Sequence, residues 1–95
     1  MLSGKQKSYL RSEAHHLQPI FQIGKGGLTD QIIKQIEDAL EARELIKVSI
    51  LQNCEEDKDE IASKLQDSNI EVVQVIGKIL VLYKESKEKK RIVLP

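Results

Sequence analysis

The chain is organised around one stretch, Pro19-Ile20-Phe21-Gln22-Ile23-Gly24-Lys25-Gly26-Gly27-Leu28-Thr29. Residues 19–23 lie between a proline and a glycine, are too few for a helix and are mostly apolar, so they predict a short buried strand. Residues 24–27, which we call the GxxG loop, contain three glycines that can adopt positive φ and leave backbone N–H groups free to face an anion. The stretch therefore predicts a strand that passes through a cationic loop into a helix.

Apolar residues at helical spacing predict three helices, over residues 3–17, 29–43 and 53–67. Pro19 ends the first helix, because the residue before a proline disfavours helical geometry. Thr29 can cap the second helix, whose apolar positions are the most regular in the chain. Asn53 and Glu56 have the spacing of a capping box, so the third helix is expected to begin at Asn53.

Aliphatic and β-branched runs predict four strands, over residues 19–23, 44–51, 70–76 and 79–83. Gly77 and Lys78 join the last two strands with the length and the leading glycine of a type II′ hairpin turn. The order helix, strand, helix, strand, helix, strand, strand implies an α/β fold with right-handed crossovers. We expect a small mixed sheet of about four strands, with helices over at least one face. The order of the strands within the sheet does not follow from the sequence.

We expect a single cytosolic domain over residues 1–95, because this length suits one compact core. No apolar run approaches the length of a membrane span, and the N-terminus has no signal core, so no membrane partner is expected. Residues 85–95 are charged first and apolar last. Within this basic C-terminal tail, residues 92–94 are predicted either to add an edge strand or to remain loose.

The charges are segregated along the chain although they cancel overall. Fifteen basic and fifteen acidic residues leave no net charge. Residues 1–28 carry +3, residues 29–76 carry −7 and residues 77–95 carry +4. If the two basic ends meet in the fold, they form a cationic surface with an acidic back, which is the expected footprint of a protein that binds a polyanion. The alternative is that folding scatters the charges again.

A basic ridge is predicted on the first helix. Lys7, Arg11 and His15 recur every four residues, so they lie along one side of a helix. The functional interpretation is that the ridge contacts phosphates. The alternative is an ordinary solvated helix face.

The GxxG loop does not match the fingerprints of nucleotide-binding enzymes. The dinucleotide pattern G-x-G-x-x-G fails because Thr29 occupies its last position, and the P-loop pattern fails because no Gly-Lys pair is followed by Ser or Thr. The shorter pattern G-x-x-G fits from Gly24 to Gly27, and such loops clamp nucleotides through the backbone in KH domains. A plain strand-to-helix turn is the alternative.

The chain contains residue types that can carry catalysis or bind metals, but their spacing suits neither role. Cys54 is the only cysteine, which excludes an internal disulfide and a cysteine-based metal site. His15 and His16 are adjacent, so on a helix they point about 100° apart and cannot hold one ion together. The acidic run 55–60 has no histidine beside it and is explained by helix capping. We therefore expect no catalytic residue, no metal and no cofactor.

Aromatic residues are scarce. The chain contains only Tyr9, Phe21 and Tyr83, and Phe21 lies in a predicted buried strand. A stacking platform of the RRM or OB type needs several exposed rings. Contacts to phosphates and to the shape of a nucleic acid are therefore the better hypothesis.

Several motifs in this order resemble the CRM domain, the chloroplast RNA splicing and ribosome maturation family, in its single-domain bacterial YhbY-like form. The segments that carry the resemblance are Leu10-Arg11, Ala14-His15, Leu17, Pro19, Gln22 to Thr29, Ala39-Leu40, Glu44 to Val48, Val72 to Gly77 and Leu80 to Tyr83. The resemblance implies an α/β fold similar to the C-terminal domain of translation initiation factor 3. It also implies RNA binding through the GxxG loop and a neighbouring basic surface, and association with precursors of the large ribosomal subunit.

Two positions depart from the family pattern. Lys84 stands where many relatives have an arginine, which keeps the charge but loses the bidentate guanidinium fork. Gly26 stands where a polar residue is common, which should loosen the loop slightly.

Together with the resemblance, these residues predict an RNA-binding protein that assists assembly of the large ribosomal subunit and has no catalytic activity. Its partner is expected to be RNA, in particular ribosomal RNA of the large-subunit precursor, and the protein is expected to be a monomer. The predicted RNA contacts are Gly24, Lys25, Gly26, Gly27, Lys7, Arg11, His15, Lys78 and Lys84. The alternatives are a small-RNA-binding cofactor, an enzyme that holds a phosphorylated metabolite at the glycine loop, and a protein adaptor that works through its tail.

Overall fold

A computed structural model describes residues 2–95 of the chain. The elements follow the order α1 (Gly4–Ala14), β1 (Pro19–Ile23), α2 (Asp30–Arg43), β2 (Leu45–Ile50), α3 (Lys58–Asp67), β3 (Glu71–Ile76) and β4 (Ile79–Tyr83). The predicted order of three helices and four strands is confirmed, and the sheet is mixed as expected.

The four strands form one sheet in the order β1-β2-β4-β3. β1 and β2 are parallel, whereas β4 runs antiparallel to both of its neighbours, β2 and β3. Consequently β1, β2 and β3 end, and β4 begins, on the same side of the sheet. We call this border, which runs across the ends of all four strands, the upper edge. The GxxG loop, the loop 51–57 and the turn 77–78 all lie there. The opposite edge, where β4 ends, is the lower edge.

The larger core lies between the sheet and helices α2 and α3. Apolar positions three and four residues apart place Ile36 and Leu40 of α2, and Ile61 and Leu65 of α3, on buried helix faces. They pack against alternate residues of the central strands, Ile46, Val48, Ile50, Leu80 and Leu82. These two helices contain seven acidic and four basic residues, so the acidic middle of the chain covers this one face.

The opposite face of the sheet is only partly covered. Leu10 and Ala14 of α1 pack there against Leu45, Val81 and Tyr83. Leu45 pairs with Tyr83 at the lower edge. α1 therefore crosses the lower half of this face, and the strand residues nearer the upper edge are left uncovered. This open half positions the candidate site.

The third helix begins later than predicted. α3 starts at Lys58, after the N-cap residue Asp57, so the capping box predicted at Asn53 is wrong. Glu56 does not complete such a box, because its carboxylate accepts a hydrogen bond from the N–H of Leu28. A tertiary hydrogen bond thus occupies the carboxylate that the local sequence pattern predicted would cap the helix.

The end of α1 and the hairpin turn are set by local interactions. α1 stops at Ala14, three residues short of the predicted Leu17, and the N–H of Leu17 donates to the Ala14 carbonyl over 2.9 Å. The hairpin turn agrees with the prediction. Gly77 adopts a φ of +56°, whereas Lys78 is not in the positive region, which is the pattern of a type II′ turn.

The C-terminal tail, residues 84–95, is neither an edge strand nor loose. It is held through its backbone by carboxylates at the end of α2. Glu44 is completely buried and accepts hydrogen bonds from the N–H groups of Ser86, Arg91 and Ile92. Ile92 also packs against the cluster formed by α1.

A second carboxylate holds the start of the same tail. Glu41 accepts hydrogen bonds from the Ser86 hydroxyl over 2.6 Å and from the N–H groups of Lys87 and Glu88. These bonds, with that of the hydroxyl the strongest, lower the pKa of the Glu41 carboxyl to about 2. We refer to Glu41 and Glu44 together as the tail clamp.

Candidate nucleic-acid interface

The GxxG loop is a tight turn with an exposed tip. The N–H of Gly27 donates to the carbonyl of Gly24 over 3.0 Å, which closes a four-residue turn with Lys25 and Gly26 at the two central positions. Both central residues are exposed, and their N–H groups have no hydrogen-bond partner within the described part of the chain. The loop therefore presents one cationic side chain and two open donors at the upper edge.

Gly27 is the position in the loop that requires glycine. Its φ is +70°, and a Cβ atom built there would lie 2.6 Å from Oε1 of Glu56. An added Cβ at Gly26 would instead have no heavy atom within 4 Å. Gly27 thus shapes the loop, whereas Gly26 leaves its outer surface open.

Glu56 fills the inner side of the loop. Its carboxylate accepts the N–H of Leu28 over 2.7 Å and forms an ion pair with Lys64, whose ammonium also donates to the Leu28 carbonyl. The hydrogen bond from Leu28, followed by that from Lys64, lowers the pKa of the Glu56 carboxyl. The expectation that the loop N–H groups are free to face an anion is therefore wrong for Gly27, whose N–H is bonded within the loop.

The basic ridge follows one flank of α1, the helix that borders the open half of the sheet. Lys7, Arg11 and His15 share one flank of the helix, where Lys7 is half-buried and the other two are exposed. The tail occupies the other flank, where the Gln6 side chain donates to the carbonyl of Pro95. Lys7 lies at the start of β3, where it shares a cleft with Asn69 and Glu71, and Arg11 and His15 follow it along α1 on the flank away from the tail.

Lys78 lies at the upper edge with the GxxG loop. Its carbonyl accepts the N–H of Ile50 over 2.7 Å, which ties the hairpin turn to the end of β2. Its side chain is exposed and lies beside Glu55 and Asp57, without an ion pair to either in the described residues. The GxxG loop and Lys78 therefore mark two positions along one edge.

Lys84 is separated from the other predicted contacts. It follows β4 at the lower edge, and its ammonium lies 3.5 Å from the carboxylate of Glu37 in α2. Since α2 covers the acidic face of the sheet, Lys84 belongs to that side of the protein. The remaining predicted side chains lie on α1 and along the upper edge, and we call them the cationic frame: Lys7, Arg11, His15, Lys25 and Lys78.

Sequence reasoning missed Lys47, which lies between the frame residues. Ile46 and Val48 enter the larger core, so strand alternation turns Lys47 to the opposite face, where it is half-buried. It pairs with Val81, whose side chain belongs to the α1 cluster. Lys47 therefore lies at the border between α1 and the open half. A lone lysine in an alternating apolar strand was the available signal.

The residues of the cationic frame form no ion pair within the described chain. Within residues 2–95, the lysines that form ion pairs are Lys34, Lys64, Lys84 and Lys90. None of the four belongs to the cationic frame. The open side thus carries positive charge that no carboxylate neutralises at ion-pair distance in the described chain.

The described chain contains no group of three or more His, Cys, Asp or Glu side chains that could hold a metal ion. Among its helices, none combines the length and the apolar character that crossing a membrane requires.

Comparison with known proteins identifies the family. The sequence profile of the CRS1 / YhbY (CRM) domain matches residues 2–84. The chain belongs to the CRM domain family. A curated CRM relative, "Probable RNA-binding protein YqeI" of Bacillus subtilis, is 67% identical over 96 residues, with all of both chains covered. An "RNA-binding protein" of Haemophilus influenzae is 44% identical over 90 residues, covering 94% of this chain and 91% of the relative.

A solved structure shares the architecture of this CRM domain. The solution structure of the hypothetical protein SAV1595 from Staphylococcus aureus superposes with a TM-score of 0.82 and 60% sequence identity, over the whole of both chains. The α/β fold class predicted from the sequence is therefore confirmed by a related structure as well as by the element order.

Proposed function

We propose that this CRM domain binds RNA and assists assembly of the large ribosomal subunit. The observation that supports the proposal most directly is the cationic frame, whose residues lie on α1 and along the upper edge and form no ion pair in the described chain, while the acidic helices α2 and α3 cover the opposite face of the sheet. The relatives named as RNA-binding proteins support the same conclusion. The ribosomal target rests on the family resemblance.

The charge distribution favours binding in one orientation. A chain without net charge has little general attraction to a polyanion, but seven of its fifteen carboxylates lie on α2 and α3, which cover one face of the sheet. Such a protein approaches RNA with the cationic frame first. Each phosphate that a frame residue neutralises releases counterions, so the logarithm of the binding constant falls by about 0.7 per contact for each tenfold rise in salt on single strands.

At the GxxG loop, the Lys25 side chain and the open N–H groups of Lys25 and Gly26 are exposed at the same turn. A phosphate oxygen can accept from such backbone donors while the ammonium supplies the charge. Glu56 occupies the inner side of the loop, so the contact is made at the tip. The ridge of α1 then contacts phosphates farther along the RNA.

The ribosomal part of the proposal is tested by sedimentation. An extract from cells that accumulate large-subunit precursors is separated on a sucrose gradient at low salt, and the protein is located with an antibody. We expect the protein to sediment with the precursors and to move to the top of the gradient at high salt. If it stays at the top even at low salt, assistance in large-subunit assembly is ruled out.

Reversing the charge at the loop tip is expected to weaken RNA binding. Lys25→Glu removes a cation and places a carboxylate beside the phosphate, so the dissociation constant for a short oligouridine should rise by about tenfold or more, with a flatter salt slope. Fluorescence anisotropy over a series of salt concentrations measures both quantities. Lys34→Glu is the matched control, because Lys34 is exposed on the acidic face. Equal affinities for Lys25→Glu and the wild type would remove the loop from the interface.

A further inference from the structure

A row of strand residues lies inside the cationic frame. Strand pairing aligns Gln22 with Ser49, Ser49 with Ile79, and Ile79 with Ile76, so the row crosses all four strands near the upper edge. Gln22, Ser49 and Ile79 point to the face that carries α1, since their neighbours Ile23, Ile50 and Leu80 enter the larger core. Ile76 lies on the same face because it is the cross-strand partner of Ile79. Gln22 and Ile76 are exposed and the other two are half-buried, because α1 does not reach this row.

A second row lies next to it on the side of α1. Lys47 and Gln74 both pair with Val81, and α1 buries Val81 while leaving its two neighbours half-exposed. We call the accessible residues of both rows the sheet floor: Gln22, Lys47, Ser49, Gln74, Ile76 and Ile79. The floor contains one cation, three hydrogen-bonding side chains and two aliphatic ones, and none of its six residues is acidic.

The floor is a narrow strip. Four strands spaced about 4.8 Å apart make it about 14 Å long, and the strand rise separates the two rows by about 7 Å. The helix α1 follows one long side, and the GxxG loop and Lys78 mark the other side at the upper edge. An extended single strand of nucleic acid fits between these sides, whereas a duplex reaches only the cations of the rim.

We propose that the sheet floor holds two or three consecutive nucleotides of single-stranded RNA, an inference that rests on the function proposed above. The Lys47 ammonium contacts a phosphate of the strand. The two amides and the hydroxyl donate to and accept from base edges, which are accessible only in unpaired RNA. Ile76 and Ile79 pack against ribose and base.

Charge complementarity selects RNA as the occupant. Lys47 lies in the floor without an ion pair in the described chain, and no floor residue is acidic, so a strand that carries one negative charge per nucleotide supplies the missing counter-charge. The floor also differs from the aromatic sheets of RRM domains. Phe21 packs in the larger core, Tyr83 is buried and the half-buried Tyr9 packs against the α1 cluster, so the floor binds by hydrogen bonds and apolar packing rather than by stacking.

Two floor variants with matched controls test this proposal. Lys47→Gln removes the central cation, and Gln22→Glu adds a charge at an exposed position without changing the side-chain shape. Each is expected to weaken binding of a short oligouridine about fivefold, and Lys47→Gln should flatten the salt slope by about 0.7. Binding of a blunt RNA duplex of the same length should be unchanged. The controls are Lys34→Gln and Gln35→Glu, which make the same changes on exposed positions of α2.

The outcomes separate the floor from the RNA-binding function itself. If both floor variants bind oligouridine as the wild type does while Lys25→Glu binds it weakly, the sheet floor does not bind RNA. The RNA-binding function then stands. Equal losses on the single strand and the duplex would also overturn the floor, because they would reflect general charge. If the wild-type protein binds neither RNA, both proposals fail. Melting curves confirm folding, and Gln22→Glu keeps the test decisive if Lys47→Gln unfolds.

Discussion

Replacing Glu44 by alanine is expected to lower the free energy of unfolding by about 3 kcal/mol. The carboxylate is completely buried and accepts the N–H groups of Ser86, Arg91 and Ile92. Alanine leaves these three donors without a partner, and Ile92 loses its position against α1. Urea denaturation followed by circular dichroism measures the loss.

The same hydrogen bonds predict a pH dependence of the tail. Burial by itself raises the pKa of the Glu44 carboxyl, but the N–H donors of Arg91, Ser86 and Ile92 outweigh it and leave that pKa below 4.5. The pKa of Glu41 is about 2. Because both values are lower in the folded protein, the tail clamp stabilises fully above pH 4.5 and progressively less as the pH falls toward 2. The amide NMR signals of the tail report its release in that range.

Two further variants show whether the effect belongs to the tail clamp. Glu85→Ala is the matched control, since Glu85 is exposed and forms a surface ion pair with Lys90; its loss should stay below about 0.5 kcal/mol. Glu44→Gln keeps the shape and one accepting oxygen, so its loss should lie between those of the other two variants. A loss below about 1 kcal/mol for Glu44→Ala would contradict the role assigned to the clamp.

Replacing Gly27 by alanine is expected to cost about 2 kcal/mol of stability and to weaken oligouridine binding. A side chain is strained at a φ of +70°, and the new Cβ would displace the Glu56 carboxylate that lies 2.6 Å away. Displacing that carboxylate breaks its hydrogen bond to the N–H of Leu28, so the loop loses its inner support. Thermal unfolding and anisotropy measure the two effects.

Gly26→Ala is the matched control, because it removes a glycine from the loop at a position whose backbone does not require one. An added Cβ at Gly26 meets no heavy atom within 4 Å and its φ is not positive, so stability should change by less than about 0.5 kcal/mol or rise slightly. A double-mutant cycle of Gly27→Ala with Glu56→Ala isolates the clash from the backbone strain. Equal stabilities of the two alanine variants would show that Gly27 is not the residue that shapes the loop.

The elements were predictable where their signals are local. The run of residues 19–23 is bounded by Pro19 and Gly24, and the second helix has both an N-cap threonine and a regular apolar face, so neither depends on distant contacts. The capping box at Asn53 failed for the opposite reason. The N–H of Leu28, a residue 28 positions away in the chain, binds the carboxylate of Glu56 that the local pattern required.

The residues of the candidate site were likewise predictable only where their signals are local. The glycine loop and the ridge of Lys7, Arg11 and His15 were visible as spacings, and the segregation of charge suggested that they belong together. Lys47 escaped notice because its exposure depends on how far α1 extends over the sheet. Lys84 had the expected charge, but the end of β4 lies on the far edge from the loop and beside Glu37.

Local chemistry along the chain thus determined the order of the elements, the turn residues and the segregation of charge, because periodicity, caps and glycine turns act over a few residues. The tertiary structure alone decided the strand order, the face that α1 covers and the roles of the buried carboxylates. Those depend on contacts across the chain, such as the hydrogen bond that joins Glu44 to Ile92, 48 residues apart. The open half of the sheet exists because α1 and the tail together cover only the other half.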